Sequence, residues 1–337
     1  VSGAEAALTT VEAGGYELIW GGVGIGATVS GGIEVVNQGG VASGTTVSAG
    51  GALILGLVGN GTAVGATLDT GGRENVYSGG IASGTTVNFG AEEFVSGGTT
   101  RFTTINAGTD IAMAGGVTYD TTVSGIELTF HLPRGLEGHF VLEGQEIVSS
   151  GGVAVGTNVD AFGEQIVSSG GMAIGTLVNI GEQIIASGGV AFSDTVYGYE
   201  LVQAGGVDTA VTIDGGTLEV ASGGSTGTSP VTFAGGGKLV LDASASFGGV
   251  VAGFAAGAYL DLADISFGSG TSVAFTEAAS NTSGTLTVTD GAHTAAIALL
   301  GQYMTNQFVT ANDGNGGTLI SESGGWHGTL ATLVAAH

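Results

Sequence analysis

A unit of about 18 residues, repeated from about residue 11 to residue 220, restricts the folds open to this chain more than any other feature. A clear copy is Gly163-Glu-Gln-Ile-Val-Ser-Ser-Gly-Gly-Met-Ala-Ile-Gly-Thr-Leu-Val178, with close copies at 144–159 and 181–196. Taking the apolar residue that closes each unit as a register mark gives Val29, Val47, Leu68, Val87, Ile105, Val123, Val141, Val159, Val178, Val196 and Ile213. Each unit holds short apolar runs, such as Ile147-Val148 and Val153-Ala-Val155, separated by Ser-Ser-Gly-Gly. Runs this short are strand length, bounded by glycine turns and rich in Val, Ile and Thr. Three turns in about 18 residues close one coil of a solenoid. Successive coils then stack as parallel strands about 4.8 Å apart, and roughly eleven of them span on the order of 50 Å.

Composition supports this and removes the alternatives. The 69 glycines disfavour helix interiors, and they lack the every-third spacing of collagen. A hydrophobic content of 43% supplies enough apolar surface for a core, which disordered chains lack. With 29 acids against 4 Lys and Arg, the net charge of −25 argues against nucleic acid and anionic membrane surfaces as partners. Cysteine is absent, as suits a protein exported to an oxidising exterior. No apolar stretch is long enough for a spanning helix, so no membrane insertion is expected of this chain. The start, Val1-Ser-Gly-Ala-Glu, lacks the basic-then-apolar pattern of an export signal, and the chain reads as a mature or trimmed product.

The Ser-Gly-Gly-x-Ala-x-Gly-Thr-x-Val units resemble the repeats of AIDA-type autotransporter adhesins. That resemblance implies a bacterial, secreted or outer-surface protein whose passenger is a right-handed parallel β-helix. It also implies self-association, or binding to a host or cell-surface glycan or protein, and repeat Ser and Thr that can carry O-linked heptose. The chain contains no obvious outer-membrane barrel of alternating segments.

The expected architecture is an all-β parallel β-helix over residues 1–213, followed by less regular terminal coils and a β-rich cap over 214–337. One unit departs from the pattern. Between Val123 and Val141 the Gly-Gly corner is replaced by Phe130-His-Leu-Pro-Arg-Gly-Leu-Glu-Gly-His139, gathering His131, Arg134 and His139 as a candidate binding ledge or a variant corner stiffened by Pro133.

Counting back about 13 residues from each register mark gives a column dominated by acids, with Glu74, Glu93, Asp110, Glu127 and Glu146 in succession and Gln165 and Gln183 after them. The following residue is mostly apolar, as at Leu18, Phe94 and Ile147, so the acids are expected to face solvent beside an inward core residue. Such an outward stripe is a candidate for a basic partner or for hard cations such as Ca²⁺, or is simply a solvated face. A Thr column beside the register mark, including Thr46, Thr86 and Thr104, reads as strand packing. No catalytic motif stands out. The five histidines have no metal-ligand spacing, and a carboxylate pair such as Asp261 with Asp264 is no more than arithmetically available. The chain reads as a non-enzymatic structural or adhesive protein without a required cofactor. A polysaccharide hydrolase or lyase on the same helix is the alternative.

Overall fold

Short Val- and Thr-rich runs between glycine corners do form strands, and those strands stack. The computed structural model describes residues 3–132 and 136–323. The fold is all-β, with strands in 56% of residues, arranged as a parallel β-solenoid of about 13 turns and ~19 residues per coil. Helix among the described residues is limited to two 3-10 turns, Ser244–Ser246 and Thr305–Gln307.

Each regular coil gives one strand to each of three sheets. In one coil these are Glu92–Ser96 on sheet one, Thr99–Arg101 on sheet two and Thr104–Asn106 on sheet three. Like positions stack on like. On sheet one Val76 lies over Val95, then Ala112, Val148, Val167, Ile185 and Val202, all fully buried. A column of similar aliphatic side chains keeps every coil in the same register, because a slip by one residue would turn the whole set outward.

The Gly-Gly corner has two separate causes. Gly170 has φ +78, in the left-handed region where a Cβ is costly. Gly171 is needed for space, since a Cβ there would lie 2.2 Å from the Val148 carbonyl oxygen of the coil below. The corner therefore turns the chain and brings adjacent coils to β-sheet distance together.

One expectation needs correction. Val141 is not a register mark, because Val123 stacks directly on Val159. The intervening Ile126–Leu132 and Leu136–Leu142 form an antiparallel hairpin, Ile126 opposite Leu142, that pairs with no other strand among the described residues. Its length is close to one repeat, so it imitates a coil in the sequence.

Parallel stacking also continues past residue 213, through Thr217–Val220, Gly237–Leu241 and Ala258–Leu262 on sheet one. Antiparallel strands follow. Thr318–Glu322 pairs antiparallel with Ala258–Leu262, while Thr294–Leu300 adds parallel to Val250–Ala252 and carries two further antiparallel strands beside it. These strands lie over the ends of sheets one and three, where open edges would otherwise recruit other chains.

Candidate functional site: a carboxylate column inside the solenoid

The acidic column exists, but it faces the interior. Sheet pairing stacks Glu17, Glu34, Leu53, Glu74, Glu93, Asp110, Glu146, Gln165, Gln183 and Glu200 in order. From Glu34 onward every member is fully buried, while the neighbouring Leu18 is 47% exposed and Phe94 and Ile147 are half-buried. The physical reason is parity. In a strand, residues i and i+2 share a face, and two places after each acid stands the unbroken aliphatic column of Val76 and Val95. The acids share the face of that column, so the outward stripe expected from sequence does not form.

Glu127 is not in the column. It sits on the hairpin, where its carboxylate is 2.9 Å from His139 Nδ1 at an exposed site, and Asp110 stacks directly on Glu146. Of the expected ledge, His139 is exposed beside Glu127 and Thr129, while Arg134 and the His131 side chain lie outside the described residues.

Buried carboxylates need donors, and the sequence provides them at a fixed distance along each coil. Thr45 donates to Glu34 at 2.9 Å, Thr85 to Glu74 at 2.8 Å and Thr103 to Glu93 at 3.0 Å. Thr157 and Thr118 both donate to Glu146, and Thr176 donates to Gln165. Apart from Thr118, which comes from sheet two, these threonines stand ten or eleven residues after their partner, just before sheet three, and point into the lumen. On sheet two the inward position is Ala42, Ala82 or Ala154 in other coils, small enough to let the glutamate reach across. Where the column carries Leu53, the donor position holds Ala66. Hydroxyl and carboxyl are thus kept or lost together in that coil.

Amides continue the chain of bonds. Gln165 donates to Glu146 at 2.7 Å, Gln183 donates to Gln165 at 2.9 Å, and Gln183 also donates to Asp194 at 2.8 Å. Asp110 is one methylene too short to meet Thr121, and neither of its oxygens has a hydrogen-bonding side chain.

Burial dominates the electrostatics. It pushes Glu34 and Glu74 up to about 7 against the pull of their threonine partners. Glu93 and Asp110 rise well above the ordinary carboxyl range, first through burial and then through the neighbouring acids of the stack. Adjacent carboxyls such as Glu74 and Glu93 can then share a proton.

Elsewhere, Asp261 is nine-tenths buried and paired with Lys238, and Asp264 accepts from Ser244. Both members of the one carboxylate pair considered for catalysis therefore have structural partners. A shallow groove of about 300 Å³ on the exterior is lined by Phe162, Ile180 and Tyr199 with Glu143, Glu164 and Glu182. No helix among the described residues is long and apolar enough to cross a membrane.

Stacked 19-residue coils with Gly-Gly corners and a uniform aliphatic column define the class: a parallel β-solenoid repeat protein. No protein-family model matches the sequence, and no curated protein does. Among solved structures, the crystal structure of the TibC-catalyzed hyper-glycosylated TibA55-350 fragment is similar, at 31% sequence identity and a TM-score of 0.63. The match covers 74% of this chain and 85% of that fragment. The chain belongs to the family of AIDA-type autotransporter passenger solenoids that this fragment represents.

Proposed function

We propose that the chain is a secreted or surface-displayed structural passenger, acting through its long repetitive faces as an adhesin, stalk or matrix component. The observation that carries this reading is the likeness to the TibA passenger over most of both chains. The outer faces suit it. Thr46, Thr67, Thr86, Thr104 and Thr122 stack in register on sheet three and are half-buried, offering a row of hydroxyls about 4.8 Å apart. The related fragment is hyper-glycosylated, and rows of this kind would serve as acceptors for O-linked sugar here. Self-association or attachment to cell-surface glycan or protein would follow from many weak contacts repeated along one face, where avidity multiplies a modest affinity.

Display of the chain on cells or beads tests this. Clumping, or retention on a glycan or epithelial surface that depends on the solenoid, is the expected result. Turnover of a polysaccharide without any adhesion would overturn it in favour of a carbohydrate-active enzyme.

A further inference from the structure

The polar column ends at Glu200, and the pattern of donors fails there. In the Glu200 coil the position that carries threonine for Glu34, Glu74, Glu93 and Glu146 is Val211. Two other carboxylates arrive instead. Asp194 occupies the threonine position of the preceding coil, and Asp208 replaces the small residue of sheet two, stacking on Ala191. One oxygen from each of Asp194, Glu200 and Asp208 lies within 4.8 Å of the others, and all three residues are fully buried.

Asp194 is held in place, accepting from the Thr176 amide at 2.7 Å and from Gln183 at 2.8 Å. Glu200 and Asp208 are not satisfied in this way. They face each other, the Thr209 backbone amide lies beside Asp208, and no other side chain donates to any of their four oxygens. In the next coil, Ser225 pairs with Val207, which puts Thr226 over Asp208, and its buried hydroxyl also has no partner. Nor is a protein cation available among the described residues. Arg73 is engaged with Glu92, Arg101 lies over Tyr119 and Lys238 is paired with Asp261, all away from the cluster.

We propose that Asp194, Glu200 and Asp208 bind one Ca²⁺ ion inside the lumen, where the polar coils give way to apolar ones. Oxygens that share a calcium ion at about 2.4 Å can be no more than about 4.8 Å apart, a limit that one oxygen from each of the three residues meets. The smaller Mg²⁺ demands about 2.1 Å and near-octahedral geometry, and it keeps its waters, which this packed lumen does not suit. Two carboxylates with free oxygens and a third oriented by its neighbours supply hard ligands only, as Ca²⁺ prefers over softer metals. Because the site is enclosed, the ion would be captured as the coils close, so binding is coupled to folding. This inference does not depend on the adhesive reading.

The test is to refold the chain from denaturant in millimolar Ca²⁺ or in EDTA, remove free ion by gel filtration and count bound calcium by mass spectrometry. About one Ca²⁺ per chain is expected to remain, with a melting temperature several degrees above that of chain refolded in EDTA. The double variant Glu200→Leu with Asp208→Ala copies the apolar coil that already exists at Leu53 and Ala63. It should refold equally well with or without Ca²⁺ and retain none. Wild-type chain that retains no calcium and refolds alike in both buffers would overturn the proposal and leave a proton shared between Glu200 and Asp208. Equal calcium on wild type and the double variant would also overturn it, placing the ion on the acidic exterior.

Discussion

The coils from Tyr16 to Val202 and those from Thr217 onward share sheets one and three but differ in their fillings. On sheet one the inward pair is Glu74 with Val76 or Glu93 with Val95 in the first region. It is Leu218 with Val220, Leu239 with Leu241 and Leu260 with Leu262 in the second. Sheet two ends at Val207–Thr209, apart from a single bridge from Val207 to Ser225, and aromatic rings join the core of the coils beyond it. Phe254 stacks on Phe308 at 6.1 Å and meets Phe233 edge-on at 5.9 Å. Strand pairing on sheets one and three is therefore common to both regions whatever the filling. The filling decides something else, namely how stability responds to solvent conditions. An apolar lumen gains from burial without a desolvation cost, whereas buried carboxyls are tolerated only while protonated or supplied with donors.

The largest expected effect of that difference is with pH, because several groups act together. Glu34 and Glu74, held near 7, and Glu93 and Asp110, also raised well above the ordinary carboxyl range, keep protons in the folded chain that the unfolded chain has lost. Their contribution is fully present below the unfolded values near pH 4 and is lost as pH rises through about 7. Asp290, held below the usual range first by the amide and ring of His293 and then by the Ala292 amide, works in the opposite sense only below about pH 4. Melting temperature should therefore rise by roughly 5 °C or more as pH falls from 8 to 5. Hydrogen exchange should place that gain around Glu74–Val76 and Phe94–Val95, with little change around Leu239–Leu241. A uniform gain over both regions would break the comparison.

Next in size is Phe254→Ala, which empties the middle of the aromatic cluster and should cost about 3–5 kcal/mol. In a solenoid each coil depends on its neighbours, so the loss should open the C-terminal coils and leave exchange near Val76 unchanged. Smaller again is Thr85→Val, which takes the donor from Glu74 and should cost about 1–3 kcal/mol, more at pH 8 than at pH 5 because the ionised carboxyl needs the donor most. Adding Glu74→Leu to a Thr85→Ala change, on the pattern of Leu53 and Ala66, should recover most of that loss at pH 8, since an apolar pair replaces an unpaired charge. Failure to recover would mean that the polar filling is needed for packing as well as tolerated.

Much of this could be read in the chain before its structure. The coil, the corners and the column positions follow from the regular return of Ser-Gly-Gly and of a closing Val, because only a fixed path reuses the same residues every turn. The inward direction of the acids was hidden by the apolar residues that follow them, Leu18 and Val35 outward and Ile19 and Val36 inward. Two signals could have resolved it: the unbroken aliphatic series at i+2, and the doubled threonines Thr45-Thr46, Thr85-Thr86 and Thr103-Thr104, whose first member serves the carboxyl. The cluster of Asp194, Glu200 and Asp208 has no motif, since its members come from three different columns and meet only through stacking. The hairpin was concealed by its length.

That hairpin gives the smallest expected effect. Removing Ile126–Leu142 joins Gly125 to Glu143, and the step from Val123 to Glu146 then equals the step from Val159 to Gln165 and from Val87 to Glu93 in ordinary coils. The partners on either side already ignore the insertion, because Val123 stacks on Val159 and Ile111 on Ile147. Deletion also removes the exposed pair of Glu127 and His139, worth at most about 1 kcal/mol. Melting temperature should therefore change by less than about 2 °C. The position is nevertheless a demanding one. The lumen close by is polar, since Thr100 and Thr118 are buried there and Thr118 donates to Glu146. A large drop on deletion, with the two halves melting separately, would show that the hairpin braces this polar stretch from outside, and the chain would then consist of three regions rather than two.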